Sequence, residues 1–226
     1  MNKVELISKT IGVGRYKELT AEEIIAAIAR HGTIKNDNGK LVKYLMDNKH
    51  LSPLQHISFG FKIQTSRGIS AQVFRHQSLE FQEWSQRYSE SAEFEPIELR
   101  REHPTNRQSS TEVFDPIVKV PWGDELLRMT AREAIDNAIY VVDRTYRALI
   151  EQGVARECAR GVLPMCTTTI IHVTGNLRNL LGYLNLRLDE HTQLEHRIIA
   201  KEIAVILKEE LPDIFKVIDI DKGMFL

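Results

Sequence analysis

Cysteine is scarce in this chain. Cys158 and Cys166 are too few for a disulfide framework and lack the paired spacing of a structural zinc site, so both are expected as reduced thiols. Long apolar runs are missing too: nothing approaches the roughly eighteen residues that span a bilayer. The start, Met1-Asn2-Lys3-Val4-Glu5, has no signal-peptide core, so no membrane partner is expected and the cytoplasm is the default compartment. Neither sign of charge is in excess. A net charge of −1 withholds the basic surplus that nucleic-acid or membrane-surface binding draws on, yet leaves room for a local cationic pocket. There is no internal repeat or low-complexity tract. Gly12-Val13-Gly14 lacks the third glycine and the strand-turn-helix setting of a dinucleotide fingerprint. His191, Glu195 and His196 do not form His-Glu-x-x-His; no metal is expected, and a salt-bridged helix surface accounts for His191 and Glu195.

The 42% hydrophobic content over 226 residues suffices for one well-cored domain, 1–226, or a tight pair of subdomains. Val4 to Lys9 reads as a strand, and Thr20 opens a helix carrying Ile24, Ile25 and Ile28 on one face. A short helix follows over Lys40 to Lys49. Ile57, Phe59, Phe61 and Ile63 alternate with Ser58, Gly60, Lys62 and Gln64, the clearest half-buried strand. Ser66 caps a helix expected from Arg67 to His76. The stretch from Ser89 to Pro121 is polar and irregular, a long excursion or lid. An amphipathic helix is expected from Asp124 to Gln152, stopping at Gly153, its stripe running from Leu127 through Ala138 to Leu149; its length suggests reach into a neighbouring subunit. A short helix at Arg156 to Gly161, a strand at Thr167 to Val173, a helix from Thr174 or Gly175, and a last helix capped by Asp189 and running to Leu211 complete the chain. The fold class is α+β, a modest central sheet enclosed by helices, some of them long.

Functional character concentrates between Arg75 and Tyr88. On the expected helix Gln72, Arg75 and His76 share a face opposite Ile69, Val73 and Phe74; on a following strand Glu83, Ser85 and Arg87 project from one side, with Trp84 and Tyr88 as anchors. Flanking guanidinium groups suit a phosphate, and the carboxylate and hydroxyl suit a base or ribose. A solvated helix end and a salt-bridged edge strand explain any one of these residues, but such a density of donors over fourteen consecutive residues favours a binding site.

Arg75-His76-Gln77, seven residues, then Ser85 within Phe81-Gln82-Glu83-Trp84-Ser85-Gln86-Arg87-Tyr88 resembles the signature of the flavin-dependent thymidylate synthases, where Arg-His-Arg precedes Ser by seven residues. The departure is Gln77, whose amide hydrogen-bonds but cannot neutralise a phosphate. Ser52-Pro53-Leu54-Gln55-His56 is similar to the family's Ser/Thr-Pro-aromatic-Glu-His, Ala159-Arg160-Gly161-Val162-Leu163-Pro164 to its Ala-Arg-x-Val-Leu-Pro, and the segment from Leu184 to Glu195 to its Leu-Asn-Leu-Arg followed by Asp, His, Gln and Glu. The resemblance implies nucleotide binding by Gln72, Arg75, Glu83, Ser85, Gln86, Arg87, Arg160 and Arg187, with Arg187 the catalytic cation against the uracil ring. It implies flavin contacts from Ser52, Arg75, His76, Gln77, Glu83, Asn176 and Arg178. His50 falls at the cofactor entrance, and Gly182 stands where some members carry a flavin-binding Asn.

The implied reaction is reductive methylation of deoxyuridine monophosphate to deoxythymidine monophosphate. Its partners are flavin adenine dinucleotide, NADPH as reductant and methylenetetrahydrofolate as co-substrate, in a homotetramer with shared active sites. Ser85 has no activating base at fixed spacing and is assigned to binding, and Glu83 to hydrogen bonding or proton relay. Cys166, in Pro164-Met165-Cys166-Thr167, lacks the Pro-Cys-His setting of the flavin-independent synthases and is expected to be inert. The rivals are a hydroxymethylating homologue, a silent nucleotide-binding protein and a metal-dependent hydrolase.

Overall fold

A computed structural model describes residues 3–36, 39–88, 93–216, 218 and 220, the Trp122 side chain excepted, and the chain divides into two compact units. The first comprises Met1–Gln64, Ala71–Gln82 and Ile170–Leu226, the second Thr65–Ser70 and Glu83–Thr169. In chain order the elements begin with β1 (Val4–Lys9), α1 (Ala21–Ala29), α2 (Lys40–Asp47), β2 (Ser58–Ser66), α3 (Arg67–Val73) and β3 (Glu80–Glu83). They continue with β4 (Arg100–Glu102), β5 (Ser110–Val113), β6 (Ile117–Trp122), β7 (Glu125–Thr130) and α4 (Ala131–Glu151). The last are α5 (Arg156–Ala159), β8 (Thr168–Asn176), α6 (Leu177–Arg187) and α7 (Leu194–Glu210), so the class is α+β. No helix among the described residues is long and apolar enough to cross a membrane.

The main sheet has the order β1-β2-β8-β3. β1 pairs antiparallel with β2, Val4 opposite Ile63 and Lys9 opposite Phe59, with a register shift between Leu6 and Ser8. The alternation in β2 explains its place: Ile57, Phe59, Phe61 and Ile63 are at most 1% exposed, and side chains of this size each contribute about 1.5–3 kcal/mol on burial. In the first unit the core gathers these with Leu177, Leu180, Leu181 and Leu184 of α6 and Ile199, Ile203 and Leu207 of α7. Glu202 of α7 accepts the Lys3 and Val4 backbone N–H groups at 2.8 and 2.9 Å, which fixes the start of β1. Thr20 and Glu23 form a capping box at α1.

In the second unit β4 pairs with β5, and β6 with β7 in a hairpin. Its two-residue loop begins at Gly123, whose φ of 62° is open to glycine without strain. A smaller core forms around Tyr146 and Ala159, with Phe94, Leu149, Ile150 and Leu163 packed against it. Three strands pass straight into helices with no loop: β2 into α3, β7 into α4 and β8 into α6.

Several boundaries differ from the sequence reading. α3 ends at Val73, because the next amides donate to carbonyls three residues back (Arg75 to Gln72, His76 to Val73), so Arg75 and His76 lie in a turn. β3 ends at Glu83: the Ser85 hydroxyl accepts the Arg87 N–H at 3.3 Å and the Tyr88 N–H meets the Ser85 carbonyl, so a serine turn replaces the expected strand. Trp84 and Tyr88 are 50% and 79% exposed, so neither is an anchor in the core. The excursion holds β4, β5 and β6 over its described part; Ser89 to Ala92 lie outside the described residues. The long helix starts at Ala131, since Glu125–Thr130 pairs with β6 and Thr130 forms a capping box with Glu133. β8 runs on to Asn176, which caps α6 by accepting the Asn179 N–H at 3.0 Å. α7 starts at Leu194, not near Asp189, whose carboxylate instead accepts the His191 N–H in a turn; His191 and Glu195 therefore share no helix face.

Thr130→Ala removes the side chain that stops the hairpin and starts α4, and should cost about 1 kcal/mol in urea denaturation. An unchanged midpoint would show that the capping box is dispensable.

Candidate functional site

In the first unit, α3, the turn behind it, α6 and the start of α7 bring polar side chains together. Tyr183 and Arg187 lie four residues apart on α6 and so project from one face. Arg187 Nε donates to His76 Nε2 at 2.8 Å, and the His76 ring stands edge-on to Tyr183 with centroids 4.8 Å apart. The Tyr183 hydroxyl lies 3.1 Å from His196 Nε2, and His196 Nδ1 lies 3.3 Å from Gln72 Oε1. Gln72 Nε2 donates to Gln193 Oε1 at 2.6 Å, and Gln193 Nε2 to Glu195 Oε2 at 2.9 Å. Gln72, His76 and Arg187 are thus assembled, joined by Tyr183, His196, Gln193 and Glu195, which the sequence reading had not placed in the site.

Both histidines are held neutral. Burial, then the Arg187 and Arg75 guanidinium groups, lower His76 to about 4; burial, then Arg187 and His76, lower His196 to about 3. Neutrality fits the geometry, because His76 Nε2 must be unprotonated to accept from Arg187. Burial pushes the Tyr183 phenol up.

The side chains of the remaining first-unit candidates lie outside this hydrogen-bonded series, although the Arg75 N–H meets the Gln72 carbonyl and its charge bears on His76. Arg75 and Gln77 are exposed in the turn after α3. Ser52 opens a 3-10 turn, exposed, and His50 lies edge-on to Tyr44 at 6.0 Å. Arg178 is exposed in the first turn of α6, and a Cβ added at Gly182 would meet nothing within 4 Å. Asn176 spends its side-chain oxygen on the cap of α6.

In the second unit Glu83 is the hub. Its carboxylate meets Arg67 at 2.5 Å and accepts from the Ser70 and Thr169 hydroxyls at 2.9 and 3.1 Å. Arg67 also donates to the Trp84 carbonyl at 2.8 Å. Arg67, Ser70 and Thr169 were not among the expected site residues; their periodicity carries no signal, since they converge from α3 and β8. Ser85 spends its hydroxyl on the turn, and Arg87 pairs with Glu157 at 3.2 Å. Gln86 is half-buried in that turn, and Arg160 is exposed at the start of the 3-10 turn Arg160–Val162. Cys166 is partly buried and its thiol is pushed up by burial. Among the described residues no group of three His, Cys, Asp or Glu is arranged to hold a metal.

The model of the thymidylate synthase complementing protein family matches residues 12–213. A probable flavin-dependent thymidylate synthase of Paramecium bursaria Chlorella virus 1 is 36% identical over 206 residues, covering 88% of this chain and 91% of its own. The flavin-dependent thymidylate synthase of a Synechocystis strain is 33% identical over 199 residues (87% and 88% of the two chains), and that of Thermosipho melanesiensis 39% over 179 (78% and 74%).

The lowered His76 fixes a sign for pH dependence. Between about 6.5 and about 4 the unfolded chain binds a proton at this position that the folded chain does not, so stability falls as pH falls through that window. The drop in thermal midpoint from pH 7 to pH 4.5 should therefore be smaller in His76→Gln than in the unaltered protein. Equal drops would mean that His76 titrates normally.

Proposed function

Because the chain belongs to the flavin-dependent thymidylate synthase family, we propose that it converts deoxyuridine monophosphate to deoxythymidine monophosphate. Methylenetetrahydrofolate is the one-carbon donor, and NADPH the reductant of flavin adenine dinucleotide. The observation that carries this reading is the Arg187–His76 pair. Arg187 is tethered through Nε to a neutral imidazole, and its Nη groups make no hydrogen bond among the described residues. Positive charge against the carbonyl edge of a pyrimidine ring stabilises the electron-rich form in which that edge carries negative charge, and this form is the one able to attack a one-carbon unit. Arg187 supplies that charge pre-oriented. His76 adds none of its own and leaves the guanidinium at full strength.

The other candidates of the chain bind and orient. Arg75 and Arg160 are exposed guanidinium groups suited to bidentate phosphate contact. Arg87 and Glu157 are each 56% exposed, so their ion pair is weak and Arg87 can exchange its partner for a phosphate at small cost. Glu83 holds Arg67 and keeps lone-pair capacity for a ribose or flavin hydroxyl. Ser85 and Gln86 contribute through the turn that begins at the end of β3.

The donors present fit a flavin. Ser52, Gln77 and Arg178 are exposed hydrogen-bonding groups, Asn176 keeps its amide N–H groups beyond the cap, and the open face at Gly182 leaves room for a ring system. When bound, the reduced flavin supplies the hydride. His76 and His50 are the further candidates for holding it, and the chain's part is to keep the nucleotide in register with it and to keep water out. The family match includes residues of both units, which supports reading 1–226 as one functional domain. Exposed apolar side chains on β6, β7 and α4, among them Ile117, Leu126, Tyr140 and Val141, support assembly as a homotetramer with shared sites. The compartment proposed is the cytoplasm.

An absorbance titration tests this. Purified protein with added flavin adenine dinucleotide should show a bound-flavin spectrum that shifts on adding deoxyuridine monophosphate; a protein that binds the nucleotide and rejects flavin would overturn the synthase reading. Arg187→Ala should lower kcat/KM by about a hundredfold or more with little change in melting temperature. Gln77→Arg should tighten flavin binding, and weaker binding would show a pocket built around the glutamine.

A further inference from the structure

The buried side of α7 is apolar with one exception. Ile199, Ala200, Ile203, Ala204 and Leu207 share it with His196, which is 0% exposed. Such a side chain needs a partner for each nitrogen, and His196 has two of unlike kind: the Gln72 amide oxygen at Nδ1 and the Tyr183 hydroxyl at Nε2.

The direction of these bonds is fixed from the far end. Glu195 accepts and does not donate when ionised, so Gln193 turns its Nε2 toward it and its Oε1 toward Gln72. Gln72 must then give its N–H to Gln193 and its oxygen to His196. His196 carries its proton on Nδ1, and Nε2 accepts the hydrogen of Tyr183. One arrangement of hydrogens satisfies the whole series from Tyr183 to Glu195.

We propose that His196 is a positioning residue for nucleotide binding. Through Nδ1–H it holds the Gln72 oxygen, the end that the Gln193 bond leaves free, so that an amide whose order Gln193 sets is held at both ends and offers the nucleotide one N–H and one carbonyl lone pair in a fixed direction. Held at the Gln193 end alone, the amide swings about that bond, and nucleotide binding must supply the ordering that the lost hydrogen bond gave. The proposal rests on the reading of the chain as a deoxyuridine monophosphate-binding synthase, with Gln72 among the groups that touch the nucleotide.

Two substitutions separate positioning from plain structural support. His196→Asn keeps an amide donor where Nδ1 stands and so keeps the bond to Gln72. His196→Gln reaches the Tyr183 end instead and loses it. With a neutral hydrogen bond at stake, His196→Gln should raise KM for deoxyuridine monophosphate about fivefold with kcat nearly unchanged, and His196→Asn should stay within about twofold of the unaltered enzyme. Equal KM values in the two variants would overturn the proposal. A fold-independent measurement accompanies them: long-range proton–nitrogen NMR of the histidine-labelled full chain should show His196 as the neutral Nδ1–H tautomer at pH 7. The Nε2–H tautomer or an imidazolium would overturn the clamp whatever the variants do. If unaltered protein shows the expected tautomer and yet binds no deoxyuridine monophosphate, the functional reading fails and the positioning role falls with it, while the hydrogen-bond series stands.

Discussion

A guanidinium group beside an imidazole is held only while the imidazole stays neutral. The 2.8 Å bond from Arg187 Nε to His76 Nε2 therefore depends on whatever lowers His76 to about 4. Burial is the first cause, and the two arginines complete it. Arg187 both requires and enforces the state of its partner: its charge makes protonation of His76 costly, and the unprotonated ring then fixes its orientation. Tyr183, one helical turn earlier on α6, closes the edge of the same ring. Electrostatic orientation of a ligand needs this kind of rigidity more than it needs a reactive side chain.

The second unit answers the same need differently. Glu83 concentrates three donors from separate elements on one carboxylate, with Arg67 and Glu83 each under a quarter exposed. Arg87 and Arg160 of the same unit are exposed, so the charge fixed at Glu83 is partly buried while theirs stays near solvent.

Periodicity made the strands and caps legible where it coincided with burial. β1 falls where Val4 to Lys9 predicts it, the alternation of β2 is buried as expected, and Thr20 caps α1. It failed where burial and pattern parted. Leu126 and Leu127 are both exposed, so β7 shows no alternation, and its leucines read as the first turn of the helix that follows. Ser85 and Asp189 failed differently: each hydrogen-bonds locally to backbone and makes a turn where a strand or a helix was expected. Of the candidate site, His76 and Arg187 were legible because their motifs are, and Gln72 because it shares an expected helix face with His76. His196 had a signal that went unused, a polar residue on the i, i+3, i+4, i+7 stripe of α7. Glu83's partners had none, because long-range convergence leaves no trace in spacing.

The direct passage of β8 into α6 has a consequence for how such a chain can vary in length. One residue inserted between Asn176 and Leu177 would turn the helix by about 100° about its axis, since a turn takes about 3.6 residues. Tyr183 and Arg187 would swing away from His76 together, and the leucines that bury α6 would face outward. Insertions and deletions are thus excluded at that junction and at the equivalent ones before α3 and α4. They are confined to connections such as the β4–β5 loop, where added residues displace no helix face.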